Sequence, residues 1–389
     1  MVVTGMDTGF SEAVERALAA APASANGVLV IRLPALRRNY RRAAEASLKA
    51  ETAAVVKANA YGLGIQPVLT ALQKETARTF FVATLDEALA LRTFANDATI
   101  YTLNGLMPGT SAVYRDARLR PVLNSLAEVE EWSAYCREHE ARLPAAIQFD
   151  TGMCRVGLEP EAADALAEKP ELLQPFRPAV LMSHLVRADE PMHPLNEVQF
   201  KRFEAVTSLF PGIAKSLVNS AGCLLRRKYH LDLARPGIAI YGGNPQKVEP
   251  SQFEPVVWLF GRIVQVRHGE KGFTVGYGGT ETLRRDSRIA TVGVGYADGY
   301  FRGVSSSDAK PGAVGHIGEH ALPLIGRVSM DLTTFDATDV PEALVHRGGF
   351  VELLGEKTTV DDLARHAGTI GYEVLTSLGR RYHRVYVDE

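Results

Sequence analysis

The chain has 389 residues, of which 46% are hydrophobic and 23% charged. That balance is close to the globular average, so the chain can bury a large core and is neither disordered nor fibrous. Its 43 Lys and Arg against 45 Asp and Glu leave a formal charge of −2, which argues against a nucleic-acid partner held by phosphate contacts. The length suits two domains, or one barrel of about 250 residues with a smaller companion.

Cys136, Cys154 and Cys223 lie far apart without a C-x-x-C pair, so a disulfide framework and a metal site built on cysteine are not expected, and a reducing cytoplasm is. The run from Ala17 to Ala25, ALAAAPASA, resembles a signal-peptidase site. Asp7, Glu12, Glu15 and Arg16 precede it, and no basic leader or apolar core is present. Residues 1–27 therefore read as a short amphipathic helix and a lead-in. No run of 18 apolar residues occurs, so a membrane partner is not expected.

From residue 28 to 250 short apolar runs alternate with longer amphipathic ones. The runs predict strands at Ala53–Val56, Phe80–Ala83, Thr99–Leu103, Pro121–Asn124, Ala146–Phe149, Val180–Ser183, Ser216–Asn219 and Leu231–Leu233. Helical patterns at Asp86–Ala95, Ala127–Ala141 and Leu195–Leu209 lie between them, the first two with acidic residues early, as helix N-termini favour. Eight strands with intervening helices imply right-handed βαβ units and, in some 200 residues, an α/β protein built on a (β/α)₈ TIM barrel rather than an open doubly wound sheet. An additional apolar stretch at about 28–34 can pack with the following domain. Asn244, Pro245, Pro250 and Pro255 mark a linker, and residues 251–389 read as a mainly antiparallel β domain with one helix at Val360–Ala367.

Barrel enzymes build their sites at the C-terminal ends of the strands. Lys57 stands at such an end, in AVVKANAYG; a lone lysine there is usually a solvated strand cap, but a desolvated amine can form a Schiff base with a carbonyl. The other strand ends deliver Asp150-Thr151-Gly152-Met153-Cys154-Arg155, His184, Asn219-Ser220 and Arg235-Pro236-Gly237-Ile238. The Ser220 hydroxyl and the backbone at Gly237 and Ile238 suit a phosphate. An amine with a phosphate cradle points to pyridoxal phosphate. In the β domain Tyr277 and Tyr296 each sit among glycines. A strand tyrosine usually packs, but flanking glycines leave its hydroxyl less shielded.

The segments AVVKANAYGLG, DTGMCRVGL, NSA, RPGIAIYG, VGYGGTE, GYADGY, GRVSMD and GYEV, from about residue 30 to the C-terminus, together resemble the bacterial alanine racemase family. The resemblance implies a pyridoxal 5'-phosphate enzyme of barrel-plus-β-domain architecture, acting on alanine as a cytoplasmic homodimer that supplies D-alanine for peptidoglycan. It makes Lys57 the cofactor-bearing lysine and one catalytic base. Tyr277 is the second base, on the opposite face of the substrate and supplied by the partner subunit, because racemisation needs a proton removed on one side and returned on the other. Tyr61, Ser220, Gly237, Ile238 and Tyr372 match phosphate-binding positions, His184 the histidine beside the cofactor ring, and Arg155 the arginine near the phenolic oxygen and the substrate carboxylate. Arg235 matches the arginine facing the pyridine nitrogen. Met330 matches a residue whose backbone meets substrate. Asp189, Tyr296, Arg302 and Arg327 match a narrow access corridor. A tyrosine acting as base near neutrality needs cationic neighbours, such as His184 or Arg235.

Three positions depart from the family's usual residues. Gln148 stands where many members have a carbamylated lysine, so Arg155 requires another support, for instance a chloride ion. Cys154 stands where glycine is common, and Leu63 replaces a frequent histidine. Other readings are a racemase of the same fold acting on another small amino acid such as serine, or a same-fold decarboxylase. The decarboxylase would be expected to carry a cysteine in the C-terminal domain, yet none lies beyond Cys223.

Overall fold

The structure, a computed structural model, describes residues 8–246 and 248–388. After β1 (Gly27–Arg32), the barrel strands are β2 (Glu51–Thr52), β3 (Ala54–Val55), β4 (Thr79–Val82), β5 (Thr99–Thr102), β6 (Arg120–Leu123), β7 (Pro144–Gln148), β8 (Arg177–Met182), β9 (Ala214–Ser216) and β10 (Leu233–Ala234). Strands β3 to β9 pair in parallel, in sequence order. The barrel closes because β2 and β3 are two halves of one extended run. The amides of Glu51, Ala53 and Val55 donate to the carbonyls of Asp232, Ala234 and Pro236 at 2.9, 2.9 and 3.0 Å. On its other edge the last strand donates from Asp232 to Lys215 and from Arg235 to Val218, both at 3.0 Å. Every residue of β4 is buried, as expected of parallel strands covered on both faces.

The intervening helices begin at readable caps. Thr84 and Glu87 form a capping box before Leu85–Arg92, and Ser125 accepts from the Glu128 amide before Leu126–Glu138. Both satisfy orphan N–H groups at a helix start.

The second sheet contains β11 (Val257–Gly269), β12 (Ser287–Val292), β13 (Val314–Ile317), β14 (His320–Pro323), β15 (Thr333–Asp336), β16 (Phe350–Leu354) and β17 (His383–Val387). Strand β1 belongs to this sheet, antiparallel to β11 and parallel to β17. The β1–β17 pair is the parallel exception in a sheet otherwise read as antiparallel. Residues 27–31 of β1 are fully buried, so both backbone edges need strand partners. The helix Thr8–Ala20 covers one face, with Phe10 packed on Trp258 at 4.5 Å between centroids.

Several local details differ from the sequence reading. The strand read at Ser216–Asn219 lies at Ala214–Ser216. Leu231 has φ of 55°, which removes it from the last barrel strand. The helix Gly371–Ser377 was not anticipated, being only seven residues long. Tyr277 and Tyr296 sit on single 3₁₀ turns rather than in strands, the first because Gly276 and Gly278 take φ of 74° and 77°. Among the described residues no cluster of three or more His, Cys, Asp or Glu could hold a metal, and no helix is long and apolar enough to cross a membrane.

Candidate active site

Lys57 follows β3 directly. The next four residues, Ala58 to Tyr61, all have φ of 53–54°, and Gly62 follows at 81°. L-residues in this left-handed region cost roughly 1–2 kcal/mol each, so the turn must be held from outside. Glu87 accepts from the amides of Ala58 (2.5 Å) and Ala83 (2.8 Å), and Asn59 Oδ1 accepts from the Ile65 amide at 2.9 Å. The Tyr386 hydroxyl donates to the Leu63 carbonyl at 2.8 Å. A Cβ on Gly62 would lie 2.4 Å from the Leu375 carbonyl oxygen, so the helix Gly371–Ser377 rests directly on the turn. The second domain thus clamps the lysine loop of the first. Burial pushes the Lys57 amine below its ordinary value, the nearby Arg155 charge pushes the same way, and Glu87 opposes both.

A cradle lies beside this loop. Ser220 Oγ accepts from the Gly237 amide at 2.7 Å and the Ala239 amide at 3.3 Å, fixing the turn that runs into the buried Ile238. A Cβ on Gly237 would lie 2.2 Å from the Tyr61 hydroxyl, so only glycine lets that hydroxyl approach the turn. Tyr61 stacks on Tyr241 at 4.4 Å and lies 6.2 Å from Tyr372. Burial drives the Tyr61 phenol far above its ordinary value. It pushes Tyr372 up to about 12, with Asp189 and Asp361 adding to the effect. Tyr61, Ser220, Gly237, Ile238 and Tyr372 are therefore gathered in one place, with Asp189 close enough to be felt.

The third group is cationic. Arg235 is buried, with Nη2 donating to the Ser183 carbonyl at 2.7 Å and Nη1 to Ser216 Oγ. Burial lowers its pKa to about 10, so it still carries its proton near neutrality. His184 Nε2 lies 3.3 Å from Asn219 Nδ2. Burial first, then Arg235, Arg155 and Lys57, drive His184 down to about 3. His184 is therefore neutral near neutrality, and Arg235 beside it keeps its charge.

The β-domain residues form a separate patch. Tyr277 is 71% exposed. Its turn packs on Arg327, whose backbone nitrogen would lie 3.1 Å from a Cβ on Gly276. The Tyr296 and Ala297 amides donate to the carbonyls of Ser329 and Met330, both at 3.0 Å. A Cβ on Gly295 would lie 2.4 Å from either oxygen. Arg302 is exposed on the next turn. Among the described residues, no hydrogen bond, ion pair or ring contact joins Tyr277 to Lys57. One chain brings together the lysine, the cradle and the cations.

Two sequence models, the N-terminal and C-terminal domains of alanine racemase, match residues 31–245 and 256–386. The chain belongs to the alanine racemase family. It is 46% identical over 370 residues to the alanine racemase of Rhizobium meliloti, covering 94% of this chain and 97% of that protein. The solved alanine racemase of Bartonella henselae, with covalently bound pyridoxal phosphate, has a TM-score of 0.88 at 35% identity, covering 93% of this chain and all of the other. The biosynthetic alanine racemase of Pseudomonas aeruginosa has a TM-score of 0.85 at 36% identity, covering 93% and 99%.

The departures from the alanine racemase pattern have local explanations. Cys154 has φ of 55°, the conformation that glycine adopts without strain. Asp150 stabilises the turn by accepting from the amides of Gly152, Met153 and Cys154 at 2.7–2.8 Å. Gln148 is buried and donates to the Val156 carbonyl at 3.2 Å, so it supports the backbone of the Arg155 turn rather than the guanidinium. Leu63 is fully buried.

Glu87, Tyr241 and Tyr386 bear on the site without having been singled out in the sequence. Glu87 was readable as the fourth residue of a T-x-x-E capping box, and Tyr241 as the end of RPGIAIYG. Nothing local marks Tyr386, whose role depends on β17 lying beside the lysine loop.

Proposed function

We propose that this chain interconverts L-alanine and D-alanine with pyridoxal 5'-phosphate as cofactor, as a cytoplasmic homodimer supplying D-alanine for peptidoglycan. We further propose that residues 28–250 act as the cofactor-binding barrel and 251–389 as the domain lending the second base. The observation that carries this reading is the Lys57 amine, desolvated and lowered, beside a serine and glycine cradle.

The residues fit the cofactor. The space beside Gly237, which a side chain would fill, faces the Tyr61 hydroxyl, and Tyr61, Ser220, Gly237, Ile238 and Tyr372 would hold the phosphate. When bound, the cofactor's ring withdraws electron density from the substrate's α-carbon and acidifies its proton. Lys57 Nζ, whose pKa desolvation lowers, would hold the aldehyde and move the α-proton on one face. The Tyr277 hydroxyl would move the proton on the other. Arg235, which hardly surrenders its proton, would donate a hydrogen bond to the ring nitrogen and would leave it uncharged. The weakened electron sink would disfavour transamination and favour prompt return of the α-proton. Arg155 would pair with the substrate carboxylate, and the Met330 backbone would meet the substrate. Asp189, Tyr296, Arg302 and Arg327 would line its approach. Such a corridor selects small side chains only modestly, since one methylene is worth about 1–3 kcal/mol.

The exposure of Tyr277, and the lack among the described residues of any hydrogen bond, ion pair or ring contact between it and Lys57, support a site shared between two copies. Mixing Lys57→Ala with Tyr277→Phe protein and allowing subunit exchange tests this. Shared sites give heterodimers one intact site of two, so activity should recover to roughly a quarter of wild type. Two inactive proteins that stay inactive after demonstrated exchange would refute the shared site.

A further inference from the structure

The N-terminal ends of β5, β6 and β7 lie at the mouth of the barrel opposite Lys57, and they border a cavity of about 320 Å³ lined by Arg92, Arg115, Arg118 and Arg120. Asp97 is the only acidic side chain on its wall. The guanidiniums differ in what holds them. Arg92 is the frame: Nε and both Nη atoms donate to the carbonyls of Ala95, Asn96, Ala98, Ala117 and Arg118 at 2.7–3.0 Å. That network ties the loop before β5 to the loop before β6. Arg118 then donates from Nη2 to the Asn96 carbonyl at 3.0 Å. Arg120 lies over the Tyr101 ring at 5.4 Å and donates from Nη1 to its hydroxyl at 2.9 Å.

Among the described residues, neither Arg118 nor Arg120 has a carboxylate partner, and each keeps further N–H donors beyond its single hydrogen bond. Arg115 is paired with its neighbour Asp116. Burial lowers Arg92; Arg118 and, less strongly, Arg120 push the same way, and Asp97 opposes them, so like charges crowd one frame. Like charges converging on a rigid frame are compensated by an anion, and guanidinium forks match the oxygens of phosphate in pairs. Leu119, Leu143 and Pro144 add an apolar wall. The volume falls at the lower end of the range for small-molecule sites and exceeds what one phosphate fills.

We propose that this cavity binds the phosphate group of a small, soluble phosphorylated compound, at a site separate from the racemase centre. Arg118 and Arg120 supply the charge, and Arg92 sets their spacing.

The test uses the holoenzyme, whose cofactor fills its own phosphate cradle. Pyrophosphate binding is measured by calorimetry for wild type and for the Arg118→Ala, Arg120→Ala double variant, and both proteins are also sedimented with phosphatidylglycerol vesicles. The expected result is saturable pyrophosphate binding, weakened at least tenfold in the double variant, with melting temperature and racemisation rate unchanged and no vesicle binding. Arg118→Lys, Arg120→Lys protein should retain part of the affinity. Binding of equal strength in wild type and the alanine variant would put the anion elsewhere and overturn the proposal, as would absence of binding. Association with vesicles alone would assign the cavity to a lipid headgroup and overturn the soluble ligand.

Discussion

The Glu87 carboxylate accepts the Ala58 amide at 2.5 Å and, through the same side chain, the Ala83 amide at 2.8 Å. One acidic residue thus fixes the first step of the left-handed turn after Lys57 and joins two adjacent strand ends. Its charge also raises the Lys57 amine against burial and Arg155. Glu87→Gln removes the charge and one acceptor, so the Lys57 pKa should fall further. Competitive acylation of Lys57 in cofactor-free protein, followed against pH, should show the amine becoming reactive at lower pH than in wild type. An unmoved titration would mean that Glu87 acts only through backbone geometry. Loss of one partly buried hydrogen bond should cost about 1 kcal/mol of stability.

The contact between Gly237 and Tyr61 leads to a second expectation. A Cβ at position 237 would lie 2.2 Å from the Tyr61 hydroxyl, and Tyr61 cannot retreat freely because Tyr241 is stacked behind it at 4.4 Å. Gly237→Ala should therefore displace the hydroxyl from the cradle and weaken pyridoxal phosphate binding by at least tenfold. Overpacking of this kind costs about 1–3 kcal/mol. Equilibrium titration of apoprotein with the cofactor measures the first effect and thermal denaturation the second. Wild-type cofactor affinity in a folded variant would remove Tyr61 from the phosphate site.

Tyr277 stands exposed on its glycine turn, and its substitution should have a direction. The family resemblance makes Lys57 the base for D-alanine and Tyr277 the base for L-alanine, so Tyr277→Phe should retain exchange of the α-proton of D-alanine into deuterium oxide and lose that of L-alanine by several orders of magnitude. NMR of each enantiomer incubated separately measures this. Equal losses on both sides would assign Tyr277 a role in binding rather than in proton transfer.

The barrel was legible because most of its strands are short runs rich in buried apolar residues, and because Thr84 and Ser125 mark helix starts. The site was legible where a strand end and a chemically particular residue coincide, as at Lys57, Ser220 and Arg235. What periodicity could not show depends on contacts distant in sequence. The parallel pairing of β1 with β17 joins residues some 355 positions apart, and it brings Tyr386 to Leu63. The low pKa of His184 likewise comes first from its burial in the fold and then from Arg235, Arg155 and Lys57, cations from different strand ends, none of which its neighbours in sequence disclose.

Glu352 provides a test of stability against pH. It lies in β16, 8% exposed, with Oε1 lacking a hydrogen-bond partner. Burial pushes its carboxyl up to about 7, with Glu356 and Glu319 adding to the rise and Lys357 opposing it. Below the unfolded value of about 4.3 the group is protonated in both states, and the folded state carries no penalty. As pH rises toward 7 the unfolded chain ionises while the folded one resists, so stability falls across that window and levels off above it. The upper limit of the loss is roughly 4 kcal/mol. Glu352→Gln removes the ionisation, so the variant should gain on wild type steadily from pH 5 to 7 and hold the gain at pH 8. Melting temperatures of both proteins over pH 5 to 8 measure the difference. Parallel curves would mean that the carboxyl is solvated in the folded state and ionises normally there.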